Sequence, residues 1–226
     1  MRIVFLRLEG VLQSWGERSK WDDRDSGEFP TKSGAIGLLG CCMGIPREDE
    51  RLVEISDNLH VAFRADRSGS LLFDFHTVQP KGKLMTADGK YKNGPIVSHR
   101  AYLQDASFLA LLFGSDYLLD ACVNALKCPV WTPYLGRKSC VPTKPLFEGE
   151  SIEFSSPEEA LRKWPQPPKS STSKKPRYDA QCRVWIESTD SADRLTRQDR
   201  LTKVAPRAFA WGRYSEDVIE IERGGA

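Results

Sequence analysis

Between Arg2 and Leu8 the chain sets Ile3, Phe5 and aliphatic neighbours among arginines, the two-residue period of a strand. Residues 17–27 are charged and read as a loop. Pro30 then precedes Thr31 and Ser33, either of which can cap a helix that carries Gly34, Gly37 and Gly40, with Gly44 a turn further on. "LHVAFRA" (59–65) and "LLFDFHTV" (71–78) predict two strands joined through the glycine-containing turn "DRSGS". Residues 76–104 show no strong hydrophobic periodicity. "ASFLALLF" (106–113) predicts a buried strand. "SDYLLDACVNALK" (115–127) opens on a Ser/Asp cap and repeats apolar residues at helical spacing, and "VWTPYLG" (130–136) reads as a short strand or extended loop. From about Pro145 the texture changes: a short helix (157–164), the Pro/Ser/Lys-rich stretch 165–176, and strands at 182–188 and 218–222.

This order predicts an α+β fold: a ferredoxin-like (RRM-like) βαββαβ core with an inserted basic β-hairpin thumb and a small C-terminal β-domain. The expected domains are 1–145, with the thumb at about 76–104, and 146–226, a β-rich domain with a mobile linker at about 165–180.

The charge balance changes that picture only when divided. With 33 Lys and Arg against 31 Asp and Glu, the net charge of +2 does not announce nucleic acid. The excursion, however, carries Lys81, Lys83, Lys90, Lys92 and Arg100 against one acid, Asp88. Residues 161–213 hold 13 basic side chains against 5 acidic ones, and 127–144 contains Lys127, Arg137, Lys138 and Lys144 with no acid. Cys41, Cys42, Cys122, Cys128, Cys140 and Cys182 form no C-x-x-C pair and have no histidine at ligand spacing, so a reduced, cytoplasmic chain without metal or cofactor is expected. The charged start argues against a signal peptide, and the longest apolar stretch, 106–113, is too short for a bilayer.

The glycine helix is no Walker A loop: Gly27 stands one residue too close to Lys32, and Thr31 replaces the required glycine. Close packing of the helix on the sheet accounts for Gly37 and Gly40. Lys32 and Ser33 fall at the helix N-terminus, where free N–H groups and the dipole attract an anion, a phosphodiester included. Three histidines are present. His60 lies in a strand pattern and reads as structural. His76 and His99 bracket the excursion; with Tyr102 or Lys92 they could form a metal-independent ribonuclease site, or be polar residues at the root of an arm. Basic residues interleave with aromatics at 131–139 and at 206–214, where Arg207 lies. Cations there would meet phosphates, and Tyr134, Phe209 or Trp211 could stack on unpaired bases. The consensus of RNA-recognition strands is absent.

"LQSWG" (12–16), "FPTKSGAIGLLG" (29–40), "YLQDASF" (102–108), "TPYLGRKSC" (132–140) and "PRAF" (206–209) occur in the order seen in the CasD family, which the chain therefore resembles. These are fifth Cas subunits of type I CRISPR surveillance complexes, and the type I-E branch is the most similar. The resemblance implies a non-catalytic, cytoplasmic RNA-binding subunit of Cascade, serving antiviral defence. It would cap the 5′ handle of the CRISPR RNA, nucleate assembly of the backbone subunit CasC, meet the large subunit CasA and touch target DNA only indirectly. By motif, Lys32 and Ser33 would hold handle phosphates and Arg100 would sit at the base of a thumb. Tyr134, Gly136, Arg137 and Lys138 would form a loop on the handle, with Arg24 nearby. The type I-C branch cuts precursor RNA with a Tyr/Lys/His set. The alternative implied here is an endoribonuclease using His99, His76 and Tyr102, although Ser98 stands where that branch has lysine.

Overall fold

The computed structural model describes residues 1–18, 20, 22–79, 82–86, 88–92, 94–167, 178–190, 192–193 and 195–221. Its centre is a run of strands apolar on both faces. β1 (Ile3–Glu9) is buried at every position. After β2 (Leu12–Gln13), β3 (Asp23–Arg24), α1 (Lys32–Met43) and α2 (Arg51–Asn58) comes β4 (Leu59–Arg67). β5 (Ser70–Val78), β6 (Leu84–Met85), β7 (Tyr91–Lys92) and β8 (Ile96–Gln104) make the excursion. β9 (Ser107–Gly114), α3 (Asp116–Lys127), β10 (Phe147–Ser151) and α4 (Pro157–Lys163) follow, then β11 (Gln181–Ser188), β12 (Leu195–Val204) and β13 (Arg207–Glu220).

Seven strands form one sheet in the order β10-β1-β9-β4-β11-β13-β12, each pair antiparallel. Alternate residues feed two cores, as the strand period requires. Val4, Leu6, Leu8, Val61 and Phe63 pack with residues of α1, α2 and α3, whereas Ile3, Phe5, Ala62, Leu109 and Leu111 pack with Ala160 and Leu161 of α4. A buried charge network fastens this second side. Asp66 pairs with both Arg7 and Arg64, Arg7 reaches Glu148 of β10 at 2.5 Å, and Arg64 donates to the Trp164 carbonyl at 2.8 Å.

Several sequence expectations are corrected. Residues 71–78 do not join the main sheet. β5 pairs with β8 along Ser70↔Gln104 to Val78↔Ile96, and β8 also carries β2 and β3. The apolar side chains of β5 remain largely exposed and belong to neither core among the described residues. Of the two readings of residues 130–136, the structure shows the loop and not the strand: Pro133 supplies no N–H and the backbone turns at Gly136 (φ +87°). The strand beside β1 is instead β10, whose sequence FEGES offers one hydrophobe to a periodicity reading. The C-terminal strands build no sheet of their own, since β11 pairs with β4 through Val184↔Arg64, Trp185↔Phe63 and Ile186↔Ala62. β12 escaped detection because its inward positions include Arg197 and Asp199. The glycine helix also differs from expectation. A Cβ on Gly40 would meet Leu52 of α2 at 2.5 Å, not the sheet, and one on Gly37 would meet nothing within 4 Å. Most of the expected linker (168–177) lies outside the described residues.

Candidate nucleic-acid interface

A groove of about 770 Å³ opens beside α1, between its exposed face and the loop 131–138. Each wall is held by local chemistry. Thr31 caps α1, its Oγ1 accepting from the Gly34 N–H at 3.0 Å. Beneath the first turn lies Trp15, 1% exposed, whose indole N–H donates to Gln13 Oε1 at 2.9 Å. The Gln13 amide in turn donates to the carbonyls of Leu8 and Ala106. The loop is anchored by buried Leu135, whose carbonyl accepts from the Ser14 N–H at 3.0 Å and whose N–H donates to the Cys140 carbonyl at 2.8 Å. Gly136 makes this docking possible: its φ is +87° and a Cβ there would overlap the Ser14 carbonyl oxygen.

Arg24, Arg47, Arg137, Lys138 and Arg207 line the groove together with Trp131, Tyr134 and Phe209; among its described lining residues there is no carboxylate. Arg47 and Lys138 are exposed. Arg207 is half-buried, its Nε has no hydrogen-bond partner among the described residues, and its guanidinium lies 5.3 Å from the centre of the Phe209 ring. Burial lowers its pKa, and the positive charge of Arg47 lowers it further. An anion entering here meets the exposed Arg47 and Lys138 and the Arg207 guanidinium, whose Nε has no hydrogen-bond partner among the described residues.

The residues named from the sequence divide around this groove. Arg24, Ser33, Tyr134, Gly136, Arg137, Lys138 and Arg207 are brought together in its lining. Lys32 is not. It is 2% exposed, its Nζ lies 2.6 Å from Glu187, and its backbone N–H donates to Asp199 Oδ2 at 2.8 Å. Asp199, which also accepts from Tyr214 at 2.7 Å, thus supplies the anion that the helix N-terminus attracts. The expectation that Lys32 meets a phosphate is corrected accordingly. Arg137 works from the inside: it donates to the carbonyls of Ala101, Arg24 and Asp25 at 3.0–3.1 Å and stacks its guanidinium 4.6 Å from the Tyr102 ring centre. It binds the loop to β3 and β8 as well as lending charge to the groove.

The candidate catalytic set does not assemble. His76 faces Ser98 across the β5–β8 pair while Phe75 faces His99, so the two imidazoles lie on opposite faces. Tyr102, 4% exposed, is covered by Arg137. His76 Nε2 lies 3.0 Å from Asp74, and His60 stacks on Phe113 with centroids 5.5 Å apart. On the arm, Lys83 and Lys90 are exposed, Lys90 lying 3.6 Å from Asp88. Arg100 is half-buried and pairs with Asp74 midway along the β5–β8 hairpin. Lys81 and the side chain of Lys92 lie outside the described residues. The sequence reading missed Arg47, which hides before the acids of "REDE"; the preceding Pro46, ending the turn after α1, was the available signal. Among the described residues no group of three or more His, Cys, Asp or Glu could hold a metal ion, and no helix is long and apolar enough to cross a membrane.

A family model described as CRISPR-associated protein (Cas5) matches residues 3–214. The Cascade subunit CasD of the CRISPR system of Escherichia coli (strain K12) is 38% identical over an alignment of 170 residues that covers 70% of this chain and 75% of that protein. Among solved structures, a chain of a CRISPR RNA-guided surveillance complex superposes with a TM-score of 0.75 at 26% identity, covering 97% of this chain and 90% of that one. A Cas protein crystal structure gives a TM-score of 0.70 at 30% identity, covering 98% of both. With a match that runs through the sheet, the arm and the groove alike, the chain belongs to the Cas5 family of CRISPR-associated proteins.

Proposed function

We propose that this chain is a non-catalytic, cytoplasmic subunit of a type I-E Cascade surveillance complex, and that it caps the 5′ handle of the CRISPR RNA in the groove beside α1. The bound handle would nucleate the CasC backbone, with CasA as a further neighbour and target DNA touched only indirectly. The strand order β10-β1-β9-β4, with helices in both crossovers, supports a ferredoxin-like core, and the β5–β8 hairpin is the thumb of this reading. The groove itself carries the proposal. Lys138, Arg47 and Arg207 face a cavity lined by aromatic rings and by no carboxylate among the described residues, the combination that suits a single RNA strand. The 38% identity to a CasD subunit supports the assembly and the subtype.

The test is the salt dependence of binding to a fluorescently labelled single-stranded RNA with the handle sequence. Lys138→Ala should lower the log–log slope by about 0.7, one phosphate contact on a single strand, without changing stability. Arg137→Ala should additionally destabilise the fold by about 2 kcal/mol, because it orphans three carbonyls. An unchanged slope for Lys138→Ala and Arg207→Ala together would move the RNA elsewhere. Cleavage of precursor RNA that disappears with His99→Ala would replace the scaffold reading by a ribonuclease.

A further inference from the structure

Three glycines of α1 and its C-cap have a reason inside the chain. A Cβ on Gly34 would come within 2.9 Å of the Trp15 ring, one on Gly40 within 2.5 Å of Leu52, and Gly44 takes φ +69° against Val130. Gly37 has none. It sits in the helix interior, exposed, and a Cβ there meets nothing within 4 Å. Alanine would suit that backbone better, since glycine weakens a helix interior. Yet the bare surface at position 37 faces the groove that holds Arg47, Lys138 and Arg207.

Resting on the reading of this groove as the RNA site, we propose that Gly37 is the point where the sugar–phosphate strand of a single-stranded RNA crosses α1. There the strand lies in van der Waals contact with the helix backbone on its way to Arg47 and Arg207. A methyl group at this position would hold the strand away from the helix, and from cations whose attraction falls with distance. A larger side chain would fill the crossing. Gly37 on this account sets how deep the strand lies, and the aromatic rings of Tyr134 and Trp131 on the facing loop stand where bases displaced from the backbone track can meet them.

The opposed effects of one substitution test this. In the full-length chain, Gly37→Ala should raise the melting temperature by about 2–4 °C. The same variant should bind handle-sequence single-stranded RNA several-fold more weakly by fluorescence anisotropy. Gly37→Leu should lose roughly tenfold or more. Were the leucine variant to misfold, the alanine variant alone carries the comparison. Binding of both variants at the parent's affinity, while Arg207→Ala is weakened, would overturn the crossing and leave the groove as the RNA site. Parent affinity for all three would overturn the crossing and the RNA reading of the groove together. A lower melting temperature for Gly37→Ala would show that the glycine serves the fold, and would also overturn the inference.

Discussion

The groove beside α1 and the arm of β5 and β8 are both rich in features that bind partners, yet they are built in opposite ways. The groove's walls are pinned from within: Arg137 to three carbonyls, Leu135 to Ser14 and Cys140, Trp15 to Gln13. The arm is a continuous nine-pair hairpin on which the side chains of β5 stand largely open, Phe73 at 75% and Phe75 at 67% exposure, while β8 buries Ala101, Tyr102 and Leu103. Summed along the sequence, the excursion of residues 76–104 is strongly basic. In space the cations that line the groove, Arg24, Arg47, Arg137, Lys138 and Arg207, converge from four separate segments. A preorganised cationic site is costly to perturb, whereas an open hairpin tolerates changes to its faces.

Glycine substitution should break the comparison most visibly. Gly136→Ala places a methyl on the Ser14 carbonyl at a positive φ, and a loss of about 3 kcal/mol or more in urea unfolding is expected. Gly89→Ala on the arm also sits at positive φ (+75°) but meets nothing within 4 Å, so about 1 kcal/mol should suffice. Equal losses would mean that the loop is not rigidly docked.

Next in size is Lys32→Met. It leaves the half-buried Glu187 without its ammonium partner, and roughly 2 kcal/mol should be lost. The salt slope of RNA binding should stay at the parent's value, because Lys32 faces away from the groove. A flatter slope would return Lys32 to the binding surface.

Asp199 gives a pH-dependent effect. Burial, the largest influence, raises its pKa above the ordinary aspartate value, against the opposing hydrogen bonds from Tyr214 and Lys32. A carboxyl with a raised folded-state pKa contributes most below its unfolded value, and that contribution disappears as pH rises through the folded one. Relative to the parent, Asp199→Asn should therefore gain stability as pH rises from about 4 to 7, measured by urea midpoints. Parallel curves for the two proteins would refute the shift.

The smallest effect belongs to the arm's apolar face. Phe73→Ser with Phe75→Ser should change stability by no more than about 1 kcal/mol, since neither ring is covered. Handle-RNA affinity should also hold, as neither ring lines the groove. A large loss in either measurement would make the arm part of the core or of the site.

Elements that bury an uninterrupted apolar stretch were legible from the sequence: β1, β4, β9, α1 with its Thr31 cap, α3 and the Ser-capped α4. β10 and β12 were not, for one presents a single hydrophobe and the other turns Arg197 and Asp199 inward. Of the site, the stretch 131–139 and Arg207 were visible as basic stretches with aromatics. Arg47 was masked by the acids that follow it.

The sequence by itself determined the α+β composition, the capped glycine helix and, through five ordered motifs, the family. These depend on local steric preference and on residues that keep their order in any conformation. Only the tertiary structure decided which charges are available. Lys32 and Arg137 carry the same sign as Lys138 and Arg207, and all four stand in basic or helix-starting motifs. Yet Glu187 and Asp199, more than 150 residues along the chain, take up Lys32, and three carbonyls take up Arg137. A cation's partner is set by distance in space, and burial makes that partner obligatory, so the division between structural and unpaired charge appears only when the chain is folded.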